Sequence, residues 1–128
     1  MILPTTTLYA LPLALIFLAL WFQVTSFRAA NNVSIGDAGN VTLHERIRRH
    51  GNFVEWVPMG LILMALAEAG GSNSFALHTA GGLIVLGRAV HPFGLKAVRA
   101  AHPLRIAGNS CNILSTVILI VLLALIVI

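Results

Sequence analysis

The sequence predicts an all-α integral membrane protein, a bundle of four transmembrane helices, and three observations carry that prediction. Of its 128 residues 58% are hydrophobic and only 9% are charged, with a mean hydropathy of +0.91, well outside the range of soluble domains. The apolar residues gather into four stretches, each long enough to cross a hydrocarbon core of about 30 Å at about 1.5 Å per residue. Between the stretches lie short segments rich in Gly, Asn, Ser and Asp, the residues of turns. Backbone groups in lipid must be satisfied within their own segment, which selects helices. There is no internal repeat or low-complexity tract, so residues 1–128 are expected to form one membrane domain.

The first helix is expected over about residues 2–27, through "LYALPLALIFLALWFQV", with no charge before Arg28. No basic residue precedes this run and no clean small-residue cleavage site follows it, so it reads as a span rather than a signal peptide. The segment "AANNVSIGDAGNVT" then reads as a water-facing loop. The second helix, about 43–69, has a polar first half and an apolar second half. The third covers about 73–98 and the fourth about 103–128, where Pro103 suits a first helical turn because its missing N–H costs nothing there. Pro12, Pro58 and Pro92 fall inside helices, which membrane bundles tolerate when neighbours satisfy the freed carbonyls. Ala76 and Ala80 stand at a small-xxx-small spacing that permits close helix packing. Cys111 has no cysteine partner in the chain and reads as a small packing residue.

Basic residues flank the first connection (Arg28, Arg46, Arg48, Arg49) and the third (Lys96, Arg99, Arg105), while the second has none. The first and third connections are therefore expected on the cytoplasmic side. This asymmetry accounts for the net charge of +4 without a nucleic-acid partner, and membrane lipids are the expected surroundings.

The run "ERIRRHGNFVEWVP" concentrates charge at the mouth of the second helix. At about 100° per residue Arg48, Asn52 and Glu55 share one stripe, descending about 10 Å along the axis. Arg46, His50 and Phe53 lie on another face. An ionised Glu55 facing lipid would cost on the order of 2.5–3.5 kcal/mol, so it must face protein, or water held by protein. The third helix offers Arg88 and, at i+3, His91; the fourth offers Arg105 and the first Arg28. All four helices thus bring cations to one half of the membrane, opposed there by Glu45 and Glu55, and a bound anion is an economical explanation. Arginine suits that purpose because its planar fork bonds carboxylates bidentately and stays charged when partly buried. Plainer readings stand beside this one. Arg46 and Arg49 read as positive-inside anchors, and a Glu55–Arg88 ion pair would fix helix register. His50 and His91 with Glu55 fit no compact two-histidine ligand spacing, so no metal is expected.

The pattern Arg48-x-His50-x-Asn52-x-x-Glu55-x-x-Pro58, followed by "LGRAVH" (Leu86 to His91) and "HPLR" (His102 to Arg105), resembles the membrane-associated proteins in eicosanoid and glutathione metabolism, and most closely their short bacterial members. The resemblance covers the chain from Arg28 through the fourth helix. It implies a homotrimer in a bacterial inner membrane, with glutathione as cosubstrate bound between neighbouring subunits near the cytoplasmic face. It further implies glutathione binding by Arg28, Arg48, Asn52, Glu55, Arg88 and His91, with Glu55 meeting the ammonium group. Arg105 matches the arginine that stabilises the glutathione thiolate, the catalytic position. The implied activity is that of a transferase or peroxidase acting on lipophilic electrophiles or hydroperoxides. This chain departs from better-known members at Ser26, where an arginine is lost, at Leu95, where several have tyrosine, and at Ile106, where a prostaglandin synthase has serine. Those departures keep open a non-catalytic protein that binds glutathione or an anionic lipid headgroup in the same pocket. A small transporter using Glu55 and Arg88 as an ion relay is a third reading.

Overall fold

A computed structural model describes residues 2–128 as four helices: α1 (Pro4–Ala30), α2 (Val41–Ala69), α3 (Ser74–Gly94) and α4 (Pro103–Val127). Each start has a local cause. Pro4 and Pro103 occupy first-turn positions of α1 and α4. Asn40 and Asn73 accept hydrogen bonds from the N–H groups of Leu43 and Ala76 and so cap α2 and α3, while the His102 ring accepts from Leu104 at the head of α4. The helices run through Pro12, Pro58 and Pro92 without breaking. In the first connection Asn32, Gly36, Ala38 and Gly39 take positive φ, and Asp37 accepts from the Gly39 N–H and pairs with His44 at 2.6 Å.

α3 ends at Gly94 rather than near Val98, a correction to the expected boundary. Leu95 is extended, and residues 96–99 form a tight turn closed by the Lys96–Arg99 bridge. α2 captures this segment: Arg49 donates to the Leu95 carbonyl and Glu45 accepts from the Ala97 N–H. These bonds place the first and third connections at one end of the bundle. At the other end Glu68, near the close of α2, accepts from the backbone N–H groups of Thr5 and Thr6 and from the Thr6 hydroxyl, each at 2.7 Å. α1 and α2 are therefore antiparallel.

The interior is a seam of Leu13, Leu20, Phe53, Val57, Met64, Leu77, Ala80, Ile84 and Leu119. Buried polar groups sit within it. Arg88, His91, Asn112 and Ser115 are all nearly inaccessible, and the Ser115 hydroxyl donates to the Ala80 carbonyl at 2.7 Å. The outside carries the larger apolar residues, including Leu11, Leu15 and Phe22 on α1 and Val121 and Leu125 on α4. Polar groups inside and an apolar surface all round are the signature of lipid as solvent. α1, α2 and α4 are each long and apolar enough to cross a membrane. α3 is less apolar because it carries Arg88 and His91, but both face protein, and its 21 residues span about 32 Å at about 1.5 Å each.

The closest packing is between α3 and α4. A Cβ on Gly87 would lie 2.7 Å from the Gly108 carbonyl oxygen, and one on Gly108 equally close to that of Gly87. A Cβ on Gly94 would overlap the backbone of Arg105. Glycine at these three positions lets the two backbones touch, which sets the distance between His91 and Arg105.

Candidate functional site

The end of the bundle that holds the first and third connections contains a cavity of about 580 Å³ between α2, α3, α4 and the third connection. Arg48 and Asn52 line it from α2, His91 from α3, and Arg105, Asn109 and Ser110 from α4, with Lys96 and Glu45 at its rim. Three cations and one carboxylate thus border one space, and Glu45 is already engaged: it pairs with Arg49 at 2.7 Å, both side chains about five-sixths buried (15% and 16% exposed). The cavity is therefore cationic. Arg105 is held over it by a bond from Nη1 to the Ala100 carbonyl at 3.3 Å.

Of the residues singled out from the sequence, Arg48, Asn52, His91 and Arg105 meet in this cavity. Arg88 stands behind it. Its Nη1 donates to the Asn52 side-chain oxygen at 2.6 Å and more weakly to the Asn52 carbonyl at 3.3 Å, so it orients Asn52 rather than lining the wall. The Glu55–Arg88 ion pair does not form. Glu55 instead accepts from Arg48 at 3.3 Å, and the two side chains meet across Gly51, where a Cβ would lie 3.5 Å from Arg48 Nη1 and 3.9 Å from Glu55 Oε1. Arg88 is turned toward Asn52 and so is not available to Glu55. Both members of the pair are about half exposed on the outside of the single chain, so Glu55 does not face this chain's interior as the burial argument required. Arg28, at the end of α1, lies outside the cavity lining; its Nη1 is buried with no hydrogen-bond partner among the described residues.

Asn109, Ser110, Lys96 and His44 also line the cavity and were not among the residues expected there. The signal for the α4 pair was present: Asn109 stands at i+4 from Arg105, on the same face. On the other stripe of α2, His50 lies against Phe17 with ring centres 5.3 Å apart, and Phe53 joins them at 6.2 Å, so this face holds α1.

Four helices with apolar outsides and a cationic cavity at one end define an integral membrane protein of the four-helix-bundle type. Comparison with known sequences specifies the group further: the chain belongs to the MAPEG family, whose model matches residues 6–125. It is similar to the inner membrane protein YecN of Escherichia coli K12, 35% identical over 89 residues, which cover 70% of this chain and 68% of the relative. YecN of a second Escherichia coli strain, O6:H1, matches to the same extent. No solved structure gives a significant match.

Proposed function

We propose that this protein is a membrane-bound glutathione-dependent transferase or peroxidase acting on lipophilic electrophiles or hydroperoxides. The observation that carries the reading is the convergence of Arg48, Lys96 and Arg105 on one cavity of about 580 Å³, a size within the usual ligand range of about 300–1,000 Å³. Glutathione offers the complementary charges: two carboxylates for the cations and one ammonium, which Glu55 would meet by giving up part of its 3.3 Å pairing with Arg48. Asn52, held by Arg88, supplies an amide for the peptide groups.

Arg105 is the residue proposed to act on the thiol. A free thiol has a pKa of about 8.5, and a fixed cation beside it favours the thiolate. The thiolate then forms a carbon–sulfur bond with an electrophile, which releases its leaving group or takes up a proton. With a hydroperoxide it attacks the terminal oxygen, the O–O bond breaks and an alcohol leaves; a second glutathione then yields the disulfide and water.

The remaining expectations belong to this reading. The first and third connections face the cytoplasm, where glutathione is found, and the membrane is a bacterial inner membrane. The chain assembles as a homotrimer with glutathione between subunits. The half-exposed Arg48–Glu55 pair supports assembly, since a spanning helix cannot turn an ionised carboxylate to lipid cheaply, and a neighbouring copy would cover it.

The test is an ultraviolet titration of thiolate absorbance with glutathione on detergent-solubilised protein at neutral pH. The parent is expected to generate thiolate, Arg105→Ala to bind glutathione with little ionisation, and the Arg48→Ala, Glu55→Ala double variant not to bind. A parent that binds without ionising glutathione favours the second reading, a non-catalytic binding protein, which the apolar cavity residues Leu95 and Ile106 support. Absence of binding overturns both.

A further inference from the structure

Two histidines line the cationic cavity, His44 from α2 and His91 from α3, and their surroundings are opposite in charge. His91 is only 3% exposed and stands in the fields of Arg88 and Arg105. A proton arriving there would add a third cation to two, away from water. His44 begins the stripe His44, Arg48, Asn52, at i, i+4 and i+8 of α2, all three on the cavity wall. Its Nδ1 lies 2.6 Å from Asp37 Oδ2, and its side chain is 57% exposed.

The first connection builds this pair. Asp37 Oδ1 accepts from the Gly39 N–H at 3.0 Å, and the Asp37 carbonyl accepts from the Asn40 N–H at 2.8 Å. The Asn40 carbonyl in turn takes the His44 N–H. Ala38 adopts φ +51° to close the turn, a left-handed conformation unfavourable to a residue with a Cβ. The loop thus returns one carboxylate to the head of α2 and fixes it there. At neutral pH Asp37 is ionised and can only accept, so Nδ1 carries the hydrogen and Nε2 keeps its lone pair.

Apart from His91, the described residues of the cavity wall offer no other free base. Arg48, Lys96 and Arg105 donate only. Both oxygens of Glu45 are taken, by Arg49 and by the Ala97 N–H. Arg48, one turn along from His44, shares its charge with Glu55 at 3.3 Å.

We propose that His44 is the proton acceptor for the glutathione thiol, with Asp37 as its positioning residue. This role rests on the glutathione reading, to which it adds the destination of the proton. The S–H bond breaks, its electron pair stays on sulfur beside Arg105, and the proton passes through water at the open rim to Nε2. The imidazolium so formed is met by the Asp37 carboxylate. Its exposed ring then gives the proton to solvent, which restores the neutral form. Arg105 sets how much thiolate is present, and His44 sets how fast it forms.

The experiment is rapid mixing of glutathione with the detergent-solubilised full chain in dilute buffer at neutral pH, following thiolate absorbance and reading rate and final amplitude separately. His44→Gln keeps a donor for Asp37 but has no basic nitrogen. It is expected to slow thiolate formation about a hundredfold, the lower end of general-base effects, and to keep the amplitude. Asp37→Asn, which retains an acceptor for Nδ1 without the charge, slows it less. Added imidazole is expected to restore the rate of His44→Ala, as it could not if the variant had only lost structure, and melting curves check the fold of each. Arg105→Ala loses amplitude, and imidazole does not return it. A parental rate in His44→Gln, a loss of amplitude in place of rate, or a His44→Ala rate that imidazole leaves unchanged overturns the role of His44 while the glutathione reading stands. A parent that forms no thiolate overturns both.

Discussion

α4 and α1 are both apolar spanning helices, yet the bundle holds them by opposite means. α4 meets α3 backbone against backbone, through Gly87, Gly94 and Gly108, and such a contact has no slack. α1 is held by side chains along its length: Glu68 grips its first turn, Leu13 and Leu20 enter the core, Phe17 lies against His50 and Phe53, and Arg46 bonds the Gln23 carbonyl and lies 4.6 Å over the Phe27 ring near its last turn. The cavity proposed for thiol chemistry is built on the first kind of contact, which fixes His91 and Arg105. The position of α1, by contrast, depends on side-chain contacts that can lengthen. Geometry that must be accurate thus sits on backbone packing, and the helix held by side chains does not line that cavity.

The largest effect is expected from attacking the backbone contact. Gly108→Ala places a methyl 2.7 Å from both the Gly87 carbonyl oxygen and the His91 Cβ, and the overpacking should cost about 1–3 kcal/mol with loss of glutathione-dependent thiolate signal. Gly82→Ala on α3 meets nothing within 4 Å and should instead gain up to about 1 kcal/mol from helix propensity. Melting curves of the pair check the contrast; equal shifts would remove it.

A smaller effect follows from loosening α1. Glu68→Gln keeps the shape but gives up the charge that faces the positive end of the helix and two of its N–H groups. About 1 kcal/mol should be lost, with faster hydrogen exchange at Thr5, Thr6 and Thr7 and no change at Gly108.

The smallest effect lies in the first connection. The Gly39 N–H, and after it the His44 ring, hold the Asp37 carboxyl below its ordinary 3.8. A depressed carboxylate contributes fully above the unfolded value and loses that contribution as pH falls through the lowered folded one. The Gly39 amide resonance should therefore report a carboxyl titration below pH 3.8, and Asp37→Asn should abolish that shift without moving the melting temperature.

Much of the architecture was legible because hydropathy reports burial in lipid directly. The starts at Pro103 and near Asn73 and the end of α2 at Ala69 agree with the expected bounds to within about a residue. The stop at Gly94 was not legible, since the bonds that draw Leu95 and Ala97 onto α2 come from residues 45 and 49, and periodicity is silent on such distant capture. Helical phase put Arg48 and Glu55 on one stripe, and they pair, but that Glu55 takes Arg48 and not Arg88 depends on the bond that turns Arg88 to Asn52. Arg88 and Asn52 were both singled out, and their mutual bond was missed because charge was matched with charge before amide with charge. Glu68 drew no attention in a segment otherwise apolar, though it ties two helices together.

That clamp bears on how the chain enters the bilayer. In the proposed orientation, with the first connection on the cytoplasmic side, Glu68 would be carried across during biogenesis, a passage that costs an isolated acid on the order of 2.5–3.5 kcal/mol at the membrane centre. If α1 and α2 enter as a preformed hairpin, the carboxylate travels already bonded to the amides of Thr5 and Thr6, and the same bonds that anchor the mature helix serve as its escort through the translocon.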